Sequence, residues 1–114
     1  MTYQEIAAAV GRIAAAAQCD YTYYQWPKGE APDPPYLLFY YPGRDDVFAD
    51  DRNYCQVTQL NLELYTDTKD PELEQLVEDA LELEGLGYQK TESHIDAEQM
   101  YEVLYETEVI LNGK

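Results

Sequence analysis

The chain has 114 residues, and its 23 acidic against 7 basic side chains give a net charge of -16. That length matches one domain with a real but shallow core, and a hydrophobic content of 46% excludes global disorder. The charge repels phosphate backbones and anionic membranes, and no apolar run approaches the ~20 residues of a membrane helix, so neither direct nucleic-acid binding nor a membrane location is expected.

The elements follow in chain order. Thr2, with Glu5 three residues on, has the pattern of a capping box. Ile6, Val10, Ile13 and Ala17 form one stripe, and the intervening alanines favour a helix that ends at Cys19-Asp20. Tyr21 to Trp26 reads as a short aromatic strand. The prolines at 27, 32, 34 and 35 make the next segment a loop, because proline lacks the ladder donor and restricts its neighbour. Tyr36 to Tyr41 is a second strand, apolar on both faces, and a strand of that kind needs cover on both sides. Pro42-Gly43 ends it. Arg44 to Asn53 reads as a charged loop around Val47-Phe48-Ala49.

Tyr54 to Thr66 alternates. Thr58, Leu60, Leu62 and Leu64 point one way, and Gln59, Asn61 and Glu63 the other, which predicts a long central strand with one wet face. Asp70-Pro71 provides an N-cap and a first-turn proline for a second helix. Leu73, Leu76, Val77, Ala80 and Leu81 give it a single buried stripe, and Gly85 stops it. Leu86 to Ser93 is a strand, Ile95 to Gln99 a turn, and Met100 to Leu111 a final alternating strand. In that strand Leu104 and Ile110 break the polar face formed by Glu102, Glu106 and Glu108. The expected order is therefore α-β-β-β-α-β-β: a two-layer α+β fold, 1–114 as one domain, with both helices on one face of a mainly antiparallel sheet.

Little in the chain suggests catalysis. His94 is the only imidazole, and no nucleophile elbow, phosphate-binding glycine loop or zinc-protease motif is present. The start of the chain lacks the basic and apolar regions of a signal peptide. The expected site of synthesis is the cytoplasm, so Cys19 and Cys55 are expected as free thiols. They and His94 lack metal-ligand spacing, and no cofactor is expected. Asp45, Asp46, Asp50 and Asp51 crowd one loop without the spacing of a calcium loop, so a solvated acidic loop is the simpler account. The 12 tyrosines are more informative, because their apolar rings and polar tips suit protein–protein contacts. Tyr36, Leu38, Tyr40 and Tyr41 of the second strand, with Val47 and Phe48 of the acidic loop, are the candidate interface residues. Phe48 ringed by carboxylates has the form of an anchor with a polar rim.

Several segments carry a family resemblance. Tyr23-Tyr24-Gln25-Trp26-Pro27, Pro34-Pro35-Tyr36, Phe39-Tyr40-Tyr41-Pro42, Leu60 to Asp67, Lys69 to Glu74 and Met100 to Glu106 resemble small proteins of the head–tail morphogenesis region of long-tailed bacteriophages and Gram-positive prophages. These are the tail-completion and tail-terminator proteins. The resemblance spans residues 20 to 111 and includes no catalytic motif. It implies a structural, non-enzymatic protein of the virion tail, assembled in the host cytoplasm. It also implies a homo-oligomer, commonly a hexameric ring, that caps the tail tube protein and meets the head–tail connector proteins. A ring around DNA gains from an acidic lumen. Two other readings compete: a head-completion adaptor, and an acidic DNA mimic that blocks a nucleic-acid-binding enzyme.

Overall fold

The computed structural model describes residues 1–112. Helix α1 (Tyr3–Ala17) and helix α2 (Pro71–Leu83) lie against a sheet of six strands: β1 (Asp20–Tyr23), β2 (Tyr36–Tyr40), β3 (Val47–Ala49), β4 (Arg52–Thr66), β5 (Gln89–Ile95) and β6 (Met100–Leu111). The order across the open sheet is β1-β2-β4-β6-β5, with β3 pairing to the early part of β4. Among the described residues, only the β1–β2 pair is parallel. The fold is thus α+β with both helices on one face, as the periodicities indicated.

Both helix starts form as their residues dictate. The Thr2 hydroxyl accepts from the Glu5 N–H at 3.1 Å, and the Glu5 carboxylate accepts from the Thr2 N–H at 2.8 Å. The Asp70 carboxylate caps α2 by accepting from Leu73 N–H at 3.1 Å. Gly85 takes φ +75, the left-handed value that a helix C-terminus asks of glycine.

Strand β4 is the spine. The register sets Leu62 between Phe39 of β2 and Tyr105 of β6, and Leu64 between Leu37 and Val103. Residues directly opposite one another share a face. Leu60, Leu62 and Leu64 therefore lie with Leu37, Phe39, Val103 and Tyr105 beneath Ile6, Val10 and Ile13 of α1 and Val77 and Leu81 of α2, in one buried cluster. Among the described residues, no helix is long and apolar enough to cross a membrane.

The structure corrects the sequence reading at four places. The segment 44–53 is not all loop: Val47–Ala49 forms β3, and Asp50 and Asp51 make a two-residue turn into β4 with φ of 52 and 61. Positive φ at both central residues suits a tight hairpin whose twist matches the sheet. The first strand is shorter than expected, ending at Tyr23, and β5 begins at Gln89. Leu76 is not part of the buried stripe of α2 but 48% exposed. Its position on the helix lies well round from Val77 and Leu81, so the core does not reach it.

Candidate interaction surfaces

Three surfaces bear on function: the outer sheet face, the hairpin end and the tyrosine edge. The outer sheet face, away from the helices, carries Tyr36, Leu38 and Tyr40 of β2. The chain covers much of it with its own residues. After β1 the backbone turns at Tyr24, with φ 66, and lays aromatic rings over β2. Trp26 meets Tyr36 edge-on at 5.7 Å, Tyr24 meets Tyr40 at 5.9 Å, and Tyr36 stacks on Tyr65 at 5.3 Å. Tyr36 and Leu38 are buried, and Tyr40 and Tyr41 half-buried. The apolar outer side of β2 is thus closed mainly by intramolecular packing, which leaves Tyr40 as its partly accessible member, while Tyr41 packs on the helix side against the core.

Beside these rings lies an unusual carboxyl pair. The Tyr65 hydroxyl lies 3.0 Å from Glu63 Oε1 and 3.2 Å from Glu102 Oε2. The Tyr40 hydroxyl is 3.3 Å from Glu63 Oε2, and the Ser93 hydroxyl donates to Glu102 at 3.1 Å. A phenol has one proton, so it can donate to only one of the two carboxylates at a time. Burial and the facing Glu102 carboxylate push Glu63 up to about 7. Burial, with these two acids, also pushes the Tyr65 hydroxyl well above its usual range.

The hairpin end is different in kind. Val47, Phe48, Tyr54 and Ile110 are 55%, 65%, 69% and 60% exposed. Val47 sits opposite Cys55, and Val57 opposite Ile110, so Val47 and Ile110 share the outer face, whereas Phe48, the next residue of β3, points to the other side. Between the Val47–Cys55 and Phe48–Asn53 pairs, β4 gains one residue, Tyr54, as a bulge. The base of the hairpin is held by Asp46, which accepts from Arg44 Nε and Nη2 at 2.8 and 2.7 Å, from Asn53 at 2.6 Å and from the Val57 N–H at 2.9 Å. Arg44 first, and then the Val57 N–H, hold this carboxyl down to about 2. Asp46 is therefore a structural clasp. Asp45, Asp50 and Asp51 are exposed, and no group of three or more metal-ligating side chains occurs among the described residues.

A tyrosine edge completes the set. Tyr3, Tyr21 and Tyr23 are each a little under half exposed. Tyr41 meets Tyr3 at 4.8 Å and Tyr23 at 5.6 Å, and Tyr23 meets Phe39 at 5.2 Å. Of the six residues singled out from sequence, Val47 and Phe48 are the freely exposed ones. Sequence reasoning did not select Tyr54, which is exposed at the bulge, or Tyr3, which α1 brings beside Tyr41. Ile110 had a visible signal, since it interrupts a polar face. His94 is a surface residue whose Nδ1 lies 2.8 Å from Asp96.

Most cations on the helix side are held in ion pairs. Lys90 reaches Glu74 at 2.8 Å and Glu78 at 2.7 Å, Lys69 reaches Glu74 at 2.6 Å and also Glu92, and Arg12 makes a two-pronged pair with Glu84 at 2.8 Å. Glu74 is buried, and despite that burial its two lysines hold its carboxyl below the usual range.

No family model matches this chain, and no curated protein matches it at a significant level. Among solved structures, the fold is similar to a chain in the virion of a native gene transfer agent particle. The TM-score is 0.61 at 14% identity, over 89% of this chain and 84% of that one. At that identity the likeness is one of fold, and it extends along nearly the whole of both chains.

Proposed function

We propose that the chain is a structural protein of a phage-like virion that completes the tail: a tail terminator that assembles as a ring on the tail tube and joins it to the head. The observation that carries this reading is the fold shared, over most of its length, with a component of a gene transfer agent virion. The exposed apolar end formed by Val47, Phe48, Tyr54 and Ile110 supports it. Four large apolar side chains exposed at one end of so acidic a chain are better explained by a partner than by solvent. The partners in this reading are further copies of the chain, the tail tube protein and the head–tail connector proteins. A hexamer is the expected ring, with no direct nucleic-acid binding, no cofactor and no catalytic step.

The DNA-mimic alternative requires carboxylates presented freely in a phosphate-like row. Glu74, Glu78, Glu84, Glu92 and Asp46 are instead held by lysine or arginine of the same chain, which counts against it. A head-completion adaptor shares the structural requirements of a terminator, and a genetic test separates the two. Loss of the gene is expected to give filled heads and unattached tails of abnormal length. Tails of normal length that fail to join would favour the adaptor. Normal tails joined normally to heads would refute both.

A further inference from the structure

Helix α2 has a second apolar line that the fold leaves unused. Leu73, Leu76, Ala80 and Leu83 fall at alternating spacings of three and four, the a and d positions of two heptads. Leu73 and Ala80 lean into the core, whereas Leu76 is 48% and Leu83 86% exposed. Leu83, in the last turn of a helix, is among the most exposed large apolar side chains described.

The surroundings of this line are defined by α1. The Arg12–Glu84 pair fixes which side of α1 faces α2. Ala8 and Ala16 lie one turn before and one turn after Arg12, and both are exposed. The outer groove between the helices thus has leucines on one wall and methyl groups on the other. Its rim is acidic. Glu72 and Asp79 occupy the heptad positions flanking the leucines, with Glu82 one position further round. All three are exposed, and none makes an ion pair with a described residue. The cations nearest to α2 are engaged elsewhere: Lys69 and Lys90 by Glu74, Glu78 and Glu92, and Arg12 by Glu84.

We infer that the outer groove between α1 and α2 is a docking site for an amphipathic helix of another protein, one that presents an apolar stripe flanked by lysine or arginine. Charge complementarity selects this occupant. A second copy of this chain is a poor one, because its α1 outer face offers alanines with a single paired arginine, and its α2 outer face repeats the same acids. The mode is a helix laid in a groove, with leucines as anchors and the acidic rim setting orientation. This site stands apart from the hairpin end and does not depend on the ring reading.

The test uses the full chain and a synthetic four-turn peptide with leucine at a and d and lysine at e and g. A control peptide has the same composition in scrambled order. Binding is followed by fluorescence anisotropy, and the site by amide chemical-shift changes. The ordered peptide is expected to shift amides of residues 72–84 and 8–16. L76S/L83S, which keeps the net charge, is expected to weaken binding about tenfold or more, as is E72K/D79K. Both leucines are exposed, so L76S/L83S is expected to melt like the parent, and circular dichroism verifies this. The inference is overturned if the ordered peptide does not bind or the scrambled one binds as tightly. It is equally overturned if L76S/L83S binds like the parent, or if the shifts fall on the outer sheet face around Glu102, Glu106 and Glu108.

Discussion

The carboxyl pair of Glu63 and Glu102 makes an unusual demand on the pH dependence of stability. Most acids here are either solvated or lowered by a partner, as Asp46, Glu74 and Glu84 are. Their contributions are present above the unfolded carboxylate value and are lost only as the pH falls below it. Glu63 behaves in the opposite sense. Its value is raised from 4.5 to about 7 in the folded chain, by burial first and by Glu102 second. The folded state then holds a proton that the unfolded chain releases. The associated stability is fully present below about pH 4.5 and is lost as the pH rises through 7. A sealed site would make the full difference worth roughly 3 kcal/mol. Glu63 is only half-buried and shares its proton network with Glu102, so about 1–2 kcal/mol is expected. Urea unfolding at pH 5, 6, 7 and 8 at fixed ionic strength measures it, and the unfolding free energy is expected to fall by that amount across the series. In Glu63→Gln the decline is expected to disappear, because the amide cannot ionise. A stability that rises from pH 5 to 8, or a Glu63→Gln chain that keeps the parent slope, would refute the reasoning.

Other predictions address the core, the helix-side ion pairs and assembly. Leu62→Ala is expected to cost about 2–5 kcal/mol in urea unfolding, since the side chain is fully buried between Phe39 and Tyr105. Replacing both Lys69 and Lys90 by methionine strands the buried Glu74. The expected loss at pH 7 is about 2–3 kcal/mol, the low side for a stranded charge because the lysine ends are partly exposed. That loss should shrink as the pH is lowered and Glu74 takes up a proton. On the proposed tail-terminator reading, Phe48→Asp is expected to leave circular dichroism and melting unchanged while abolishing assembly in light scattering with the tail tube protein. Assembly equal to the parent would remove the hairpin end from the interface.

The elements whose signals are local were legible in the sequence. The capping box at Thr2 and Glu5, the Asp70-Pro71 start and the alternating leucines of β4 each depend on neighbours within a few residues. What was hidden depends on long-range register. The three residues of β3 sit among aspartates, and nothing nearby shows that Arg44 will clasp Asp46 and bring Val47 against Cys55. The closing of β2 by Trp26 and Tyr24 needs a backbone reversal at a tyrosine with positive φ, which tyrosine rarely adopts. Leu76 misled the sequence reading because its spacing of three and four from Leu73 and Ala80 fits an apolar stripe, although it lies about 100° round the helix from Val77. Glu63 and Glu102 are 39 positions apart, and only the pairing of β4 with β6 brings them near the same phenol. For the candidate surface, Val47 and Phe48 were readable as apolar residues in a charged setting. The burial of Tyr36 and Leu38 was not.

The spine strand also divides the molecule into regions of unequal permanence. From Thr58 onward, β4 alternates over a packed helical layer, but Arg52 to Gln56 are largely exposed, in a molecule 49 Å long and 24 Å across its thinnest axis. Amide exchange should therefore form a gradient along one continuous strand: slow at Leu60 to Leu64, where exchange requires global opening, and fast at Arg52 to Gln56, where the hairpin can fray alone. A segment that frays without disturbing the core can be rewritten freely. On the proposed reading of the hairpin as a contact surface, successive substitutions at Val47, Phe48 and Tyr54 would alter which neighbour it accepts while the folding of the rest proceeds unchanged. The same scaffold can in this way follow a changing partner.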